Sequence, residues 1–438
     1  MVVRRSRSRG SGKTRTGAIV VLVAAGIFGL WYALRVGPAP DVAVQTERPA
    51  VGRENAVTAL FSEPQSGLGT VRLELIQGDR TELLDQRRFV RGSGIPLVGG
   101  AGTGQALIEV AIGTETHPWL VEGEVVLRAT ADRAAGVLRR VDPISVELVL
   151  PVRLRPPQLQ VSSSQHYVRQ GGSGAVVYRV GENVVLSGVR AGDVESPGSS
   201  LEGGASGDRF VIYAVPWNVG DVTQVRLFAE DDAGNRVEQP FLDLFKEMPP
   251  RTATIRVSEA FLERVVPAIA SQTQGFEASG SLLDQYLRIN RDLRRAELDR
   301  VRGLAAQSEA SFLWAGAFLQ MPNTAREADF AETRTYLYDG REVDRQTHLG
   351  LDLASTSRAP VPAPNSGVVV FAGWMSLYGN TVIIDHGYGL LSLCGHLSTV
   401  DVATGDRVAR GKIIGASGAT GLAGGDHLHL EIFVHGQS

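Results

Sequence analysis

The chain has 438 residues, 43% hydrophobic and 21% charged, which leaves room for about three domains with ordinary apolar cores. A formal net charge of −3 gives no electrostatic reason to expect nucleic acid as a partner. The single cysteine, Cys394, excludes an internal disulfide framework and any metal site closed by several thiolates.

The N-terminus carries Arg4, Arg5, Arg7, Arg9, Lys13 and Arg15 and then an uncharged apolar run over residues 17–34. About eighteen residues is just long enough to span a bilayer as a helix, and Trp31 and Tyr32 fall where an interfacial aromatic belt lies. The basic flank predicts that residues 1–16 stay in the cytoplasm while the rest of the chain is exported. A cleaved signal peptide is the competing reading, with Gly37-Pro38-Ala39 offering small residues for a cut. Pro40 would follow that cut and hinder it, so an uncleaved transmembrane helix is the expectation.

From about Val42 onward, short alternating runs are separated by glycine-rich turns. Val71-Arg72-Leu73-Glu74-Leu75 alternates before the turn Gln77-Gly78-Asp79, and Ile144 to Leu150 repeats the pattern. Arg155-Pro156-Pro157 marks a boundary, because consecutive prolines cannot continue a central strand. Beyond it, Val225 to Glu230 runs into the turn cluster Asp231-Asp232-Ala233-Gly234-Asn235 and then Arg236 to Gln239. That segment is similar to the last hairpin of bacterial immunoglobulin-like modules. Two β-sandwich modules are therefore expected, over 42–155 and 156–248, as spacers or as wall- or partner-binding units. From Ser258 to about Gln307 the periodicity turns helical, with Ser281 and Asp284 spaced as a capping box and Leu283, Leu287, Leu298 and Val301 near helical spacing.

The remaining residues, 312–438, hold the chemistry. His348, Asp352 and the pair His427/His429 supply ligands for a catalytic zinc, a site type that uses three protein ligands and leaves one position for water. Asp426 to Ile432 alternates and reads as a half-buried strand with His427, His429 and Glu431 on one face. Two imidazoles then stand roughly 6–7 Å apart at their backbones, so one can hold metal while its neighbour reaches the water. His348 and Asp352 would lie about 13 Å apart in a fully extended chain. Gly350 between them can supply the bend that closes this span.

His348-Leu349-Gly350-Leu351-Asp352 followed by His427-Leu428-His429 resembles the paired signature of the lysostaphin/LytM-type zinc endopeptidases, which cut peptidoglycan cross-links. The resemblance runs from about Phe312 to the chain end. Tyr378 to Gly387 is similar to that family's first core hairpin, Gly395-His396-Leu397-Ser398 to its catalytic-histidine segment, and Gly405 to Val408 with Gly411 and Ile414-Gly415 to its next strand pair. It implies a mainly antiparallel β metallopeptidase domain with His348, Asp352 and His429 as Zn2+ ligands and His396 and His427 as the histidines beside the water. Which of those two is the base stays open. Asn380 and Tyr378 are expected at the substrate groove, with a turn role for Gly379-Asn380 as the alternative. Cys394-Gly395 departs from the aromatic residue and alanine more usual before this histidine, and an inert buried thiol is expected there. Relatives continue through a short proline-containing segment, so a chain stopping at Ser438 is expected to be clipped or unusually short.

The implied function is hydrolysis of peptidoglycan cross-links by metal-activated water, on the wall side of a bacterial inner membrane held through one helix. Cell-wall or division proteins are candidate partners. Two other functions compete: a catalytically inactive wall-binding regulator that activates a separate amidase, and a peptidase acting on a protein substrate. His117, His166 and His435 read as ordinary structural histidines, and His386, after Asp385 and before Gly387, as a turn residue. The helical segment, being adjacent in sequence, raises an expectation of autoinhibition.

Overall fold

The computed structural model describes residues 39–64, 67–89, 103–133 and 142–438. The basic tail and the apolar run at 17–34 lie outside these residues. Among the described residues no helix is long and apolar enough to cross a membrane. The chain divides into two compact units, one formed by residues up to Pro156 with Asp232–Asn235, the other by Pro157–Asp231 and Arg236–Ser438.

The first unit holds a three-stranded sheet (Asp41–Thr46, Asn55–Ser62, Gln105–Ile112) and a four-stranded sheet (Arg80–Arg88, Leu68–Gln77, Gly123–Arg133, Ile144–Val152), both antiparallel. One core joins them, with Val57, Ala59, Phe61 and Ile108 from the first and Val71, Leu73, Leu75 and Leu127 from the second. The alternation at Val71–Leu75 is real: the three apolar side chains are fully buried while Arg72 is exposed. In Ile144–Val152 the pattern is weaker, because Ile144, Val146 and Leu148 are only half-buried.

The second unit begins with two four-stranded sheets that share a core built around Tyr178, Tyr213, Val176 and Leu227. Val225–Asp231 and Arg236–Gln239 form the hairpin that the turn cluster predicted. Three helices follow: α1 (Glu259–Gln272), α2 (Leu282–Arg288) and α3 (Arg294–Ala305), the last two joined through a π-helical turn. Ser258 caps α1, and Ser281 with Asp284 completes the expected capping box on α2. Leu262, Val265, Val266, Ile269, Tyr286 and Ile289 share one core with Tyr378, Ile383, Leu391, Leu393 and Phe433 of the domain that follows. At about 1.5–3 kcal/mol for each large side chain buried, the helices are a layer of that core and not a detachable cover.

The C-terminal domain is a seven-stranded antiparallel sheet. Its strands are β1 (Ala325–Ala328), β2 (Leu351–Ala354), β3 (Gly367–Trp374), β4 (Asn380–Asp385), β5 (Leu390–Leu397), β6 (Arg407–Val408) and β7 (Leu428–Val434), in spatial order β1-β2-β7-β5-β4-β3-β6. Strand β7 is buried on both faces, not one. Leu428 and Leu430 enter a core with Leu353, Val361, Val382 and Ile414, and Phe433 enters the helix-side core. His429 and Glu431 alternate onto the helix side with Phe433. The segments expected as a strand pair fall in different sheets: Arg407–Val408 pairs with β3, and Ile413–Ala416 pairs with Pro360–Pro362 and Thr399–Val400.

Candidate metal centre

His348 ends the strand Arg341–His348, the chain bends at Gly350, and β2 brings Asp352 into direct register with His429 on β7. The bend needs glycine for space, since a Cβ at position 350 would stand 2.5 Å from His429 Cε1. Three ligand atoms meet at one point. His348 Nε2 is 3.0 Å from Asp352 Oδ1 and 3.1 Å from His429 Nδ1, and His429 Nδ1 is 2.9 Å from the same oxygen. All three residues are buried.

The outward nitrogens fix which lone pairs face in. His348 Nδ1 lies 2.9 Å from the carbonyl oxygen of Asp329, which can only accept, so this nitrogen carries the proton and Nε2 is free. His429 Nε2 donates to Glu431 Oε2 at 3.2 Å, leaving Nδ1 free. A carboxylate behind a metal-binding imidazole raises the basicity of the inner nitrogen. Tyr378 Oη donates to the same Glu431 oxygen at 3.2 Å.

Two more histidines flank the cluster. His427 Nε2 is 3.6 Å from Asp352 Oδ1, and the His396 and His427 ring centroids are 4.8 Å apart. Their Nδ1 atoms donate to carbonyls, His396 to Thr420 at 2.8 Å and His427 to Gly425 at 2.9 Å, so both keep an Nε2 lone pair. A β-bulge delivers His396. Asn380 pairs with Leu397 and Val382 with Cys394, so Thr381 opposes both Gly395 and His396, and His396 takes a left-handed φ of 62°. Such backbone costs about 1–3 kcal/mol and is kept where surrounding contacts impose it.

Those contacts include Asn380. Its Nδ2 donates to Leu397 O at 3.1 Å, and its backbone N donates to Thr420 Oγ1 at 3.0 Å. Tyr378 is 4% exposed, its ring packed against His429. Both residues, expected at the groove wall, are engaged in holding the histidines. His386 is likewise more than a turn residue: it is fully buried, with Nδ1 donating to Ser366 O and Nε2 paired with Ser392 Oγ. Cys394 is buried, and burial pushes its thiol up to about 12.

The electrostatics favour a cation. Burial opposes the charge on Asp352, yet the imidazoles of His348, His427 and His429 packed against it outweigh this and hold the carboxyl well below the usual range. Burial likewise opposes protonation of His429, but Asp352 and Glu431 raise it to about 9. Burial lowers His348 and, with His427 and His429 adding to it, pushes His396 well below the ordinary histidine value. Arg334, which sequence patterning did not single out, donates from Nη2 to Asp352 Oδ2 at 2.9 Å and from Nε to Glu332 Oε1 at 3.0 Å. Asp352, Glu332 and Glu431 against one guanidinium leave two negative charges when the histidines are neutral, which one divalent ion balances. Two imidazole nitrogens and one carboxylate oxygen are a donor set suited to zinc.

The model of peptidase family M23 matches residues 346–438. The chain is 42% identical over 90 residues to the DD-carboxypeptidase/endopeptidase Mpg of Neisseria meningitidis, a match covering 20% of this chain and 21% of that protein. It is 41% identical over 90 residues to the peptidoglycan DD-endopeptidase ShyA of Vibrio cholerae, with the same coverage of 20% and 21%. Among solved structures, the catalytic domain of lysostaphin from Staphylococcus simulans aligns at 26% identity and a TM-score of 0.20, covering 30% of this chain and 84% of that one. The chain thus spans about a fifth of the length of the curated relatives it matches. Over residues 346–438, where His348, Asp352, His396, His427 and His429 all lie, it carries a peptidase family M23 domain.

Proposed function

We propose that this protein is a zinc-dependent endopeptidase that hydrolyses peptide cross-links of bacterial peptidoglycan. The observation that carries the reading is the meeting of His348 Nε2, Asp352 Oδ1 and His429 Nδ1 within 3.1 Å, beside two further imidazoles with free Nε2 lone pairs. His348, Asp352 and His429 would hold the ion. When bound, zinc polarises the scissile carbonyl and lowers the pKa of water from about 15.7 toward 7.

His396 and His427 perform the proton transfers. Each has its Nδ1–H tied to a carbonyl, so each can accept a proton only at Nε2, which in His427 lies 3.6 Å from Asp352 Oδ1. The one that takes the water's proton becomes an Nε2–H donor and returns it to the leaving amine. The other, having taken a proton from solvent at Nε2 before the substrate binds, donates it as a hydrogen bond to the oxyanion. His396, kept neutral by its burial, holds its lone pair across the physiological range.

The substrate class rests on the relatives named for peptidoglycan endopeptidase activity. A catalytically silent regulator would not need the complete ligand set, so the site gives that alternative no support. The apolar run at 17–34, read as an uncleaved anchor, would hold the enzyme in the inner membrane with its catalytic domain on the wall side. The test uses isolated peptidoglycan incubated with the full chain. Release of new amino termini, abolished by a chelator, restored by zinc and absent in His429→Ala, is the expected result. Undiminished release after chelation would rule the reading out.

A further inference from the structure

We infer that Arg334 keeps the metal site open by engaging the outer oxygen of Asp352, so that this carboxylate meets a divalent ion through Oδ1 alone. The inference rests on the metal-site reading above and deepens it, because it concerns what sets the coordination number. The two oxygens of Asp352 have separate partners. Oδ1 faces His348 Nε2 at 3.0 Å and His429 Nδ1 at 2.9 Å, whereas Oδ2 accepts from Arg334 Nη2 at 2.9 Å. A carboxylate with both oxygens free can chelate a cation through both. Hydrolytic zinc sites work with three protein ligands and one vacant position. A second oxygen from Asp352 would crowd that position and compete with water.

Arg334 is built to hold its place. Its side chain is 18% exposed, its Nε donates to Glu332 Oε1 at 3.0 Å, and Glu332 sits in register opposite His348 across the hairpin of Glu332–Tyr338 and Arg341–His348. The guanidinium fork thus runs from the residue facing one ligand to the carboxylate of another. Its donors are planar and fixed, so a lysine ammonium would not reach both carboxylates in the same way. The competing explanation is a salt bridge that only ties the hairpin to β2. These differ in what they change: a tie affects stability, while a guard on Oδ2 affects how many oxygens reach the metal.

Cobalt(II) in place of zinc reads this directly, because four-coordinate cobalt absorbs visible light strongly and five-coordinate cobalt weakly. In the cobalt-loaded full chain, Arg334→Gln should lose visible intensity while still retaining one metal ion. Zinc-dependent hydrolysis by the same variant should fall about 10–100-fold, the range for removing an outer partner of a metal ligand. Glu332→Gln, which weakens the anchor of Arg334 by removing its charge, should shift the spectrum the same way by less, and Arg334→Lys should lie between. These two variants carry the test if Arg334→Gln does not fold. Folded variants with the wild-type cobalt spectrum would overturn this inference while leaving the metal site standing. A wild-type chain that takes up no cobalt would sink both.

Discussion

At the scale of single residues, the centre is a set of imidazoles whose outer nitrogens are all spoken for. Glu431 is the most testable of the outer partners, being 1% exposed and joined to both His429 Nε2 and Tyr378 Oη. Glu431→Ala should weaken zinc binding about 10–100-fold in a chelator competition, with Glu431→Gln recovering part of the loss because its carbonyl still accepts from Nε2–H. Equal affinity in all three proteins would show that the carboxylate has no hold on the metal. The three residues that meet at the centre were legible as candidates in sequence, since histidine and aspartate around a glycine, with a second histidine pair downstream, stand out by residue type. Arg334 was not. It lies fourteen residues before His348, and its contact with Asp352 exists only once its strand pairs with Arg341–His348 and the chain bends back into β2. The bulge at His396 was equally hidden, because a register shift between β4 and β5 leaves no mark beyond Gly395.

At the scale of elements, backbone geometry decides what reaches the site. The bend at Gly350 lets Asp352 turn back to His348, and a Cβ there would collide with the His429 ring. Gly350→Ala should therefore reduce zinc occupancy in the purified chain, and full occupancy would show that the ring can move aside. His386 ties β4 and β5 to Ser366, and burial lowers its pKa. Below about pH 6.5 the unfolded chain takes up that proton before the folded one does, so the stability His386 contributes is full above this pH and is lost as pH falls toward the folded value. The melting temperature should decline on acidification, with a shallower slope in His386→Gln. Parallel slopes would remove His386 as a cause. The helices were legible by periodicity and capping, but their tertiary role was not. Leu262 is fully buried in the core shared with the sheet, so Leu262→Ala should cost about 2–5 kcal/mol in denaturant unfolding. A change under about 1 kcal/mol would mean that this layer is loosely attached and would revive autoinhibition by a movable segment.

At the scale of the whole molecule, the chain joins strand-rich modules, a helical layer and a C-terminal peptidase domain. The strand-rich half was legible as alternation and turn chemistry, most clearly at Val71–Leu75 and the hairpin after Val225. How strands sort into sheets was not, because pairing order depends on contacts far apart in sequence. Anchoring through residues 17–34 is a proposal about location: the full chain should sediment with membranes, and one lacking residues 1–38 should not. One ion between two imidazoles and one carboxylate is what the proposed function needs, and elemental analysis of the purified full chain looks for it. About one zinc per chain is expected in the wild type, with a near-complete loss in His429→Ala. Folded wild-type protein with no transition metal, and none taken up when zinc is supplied, would contradict it.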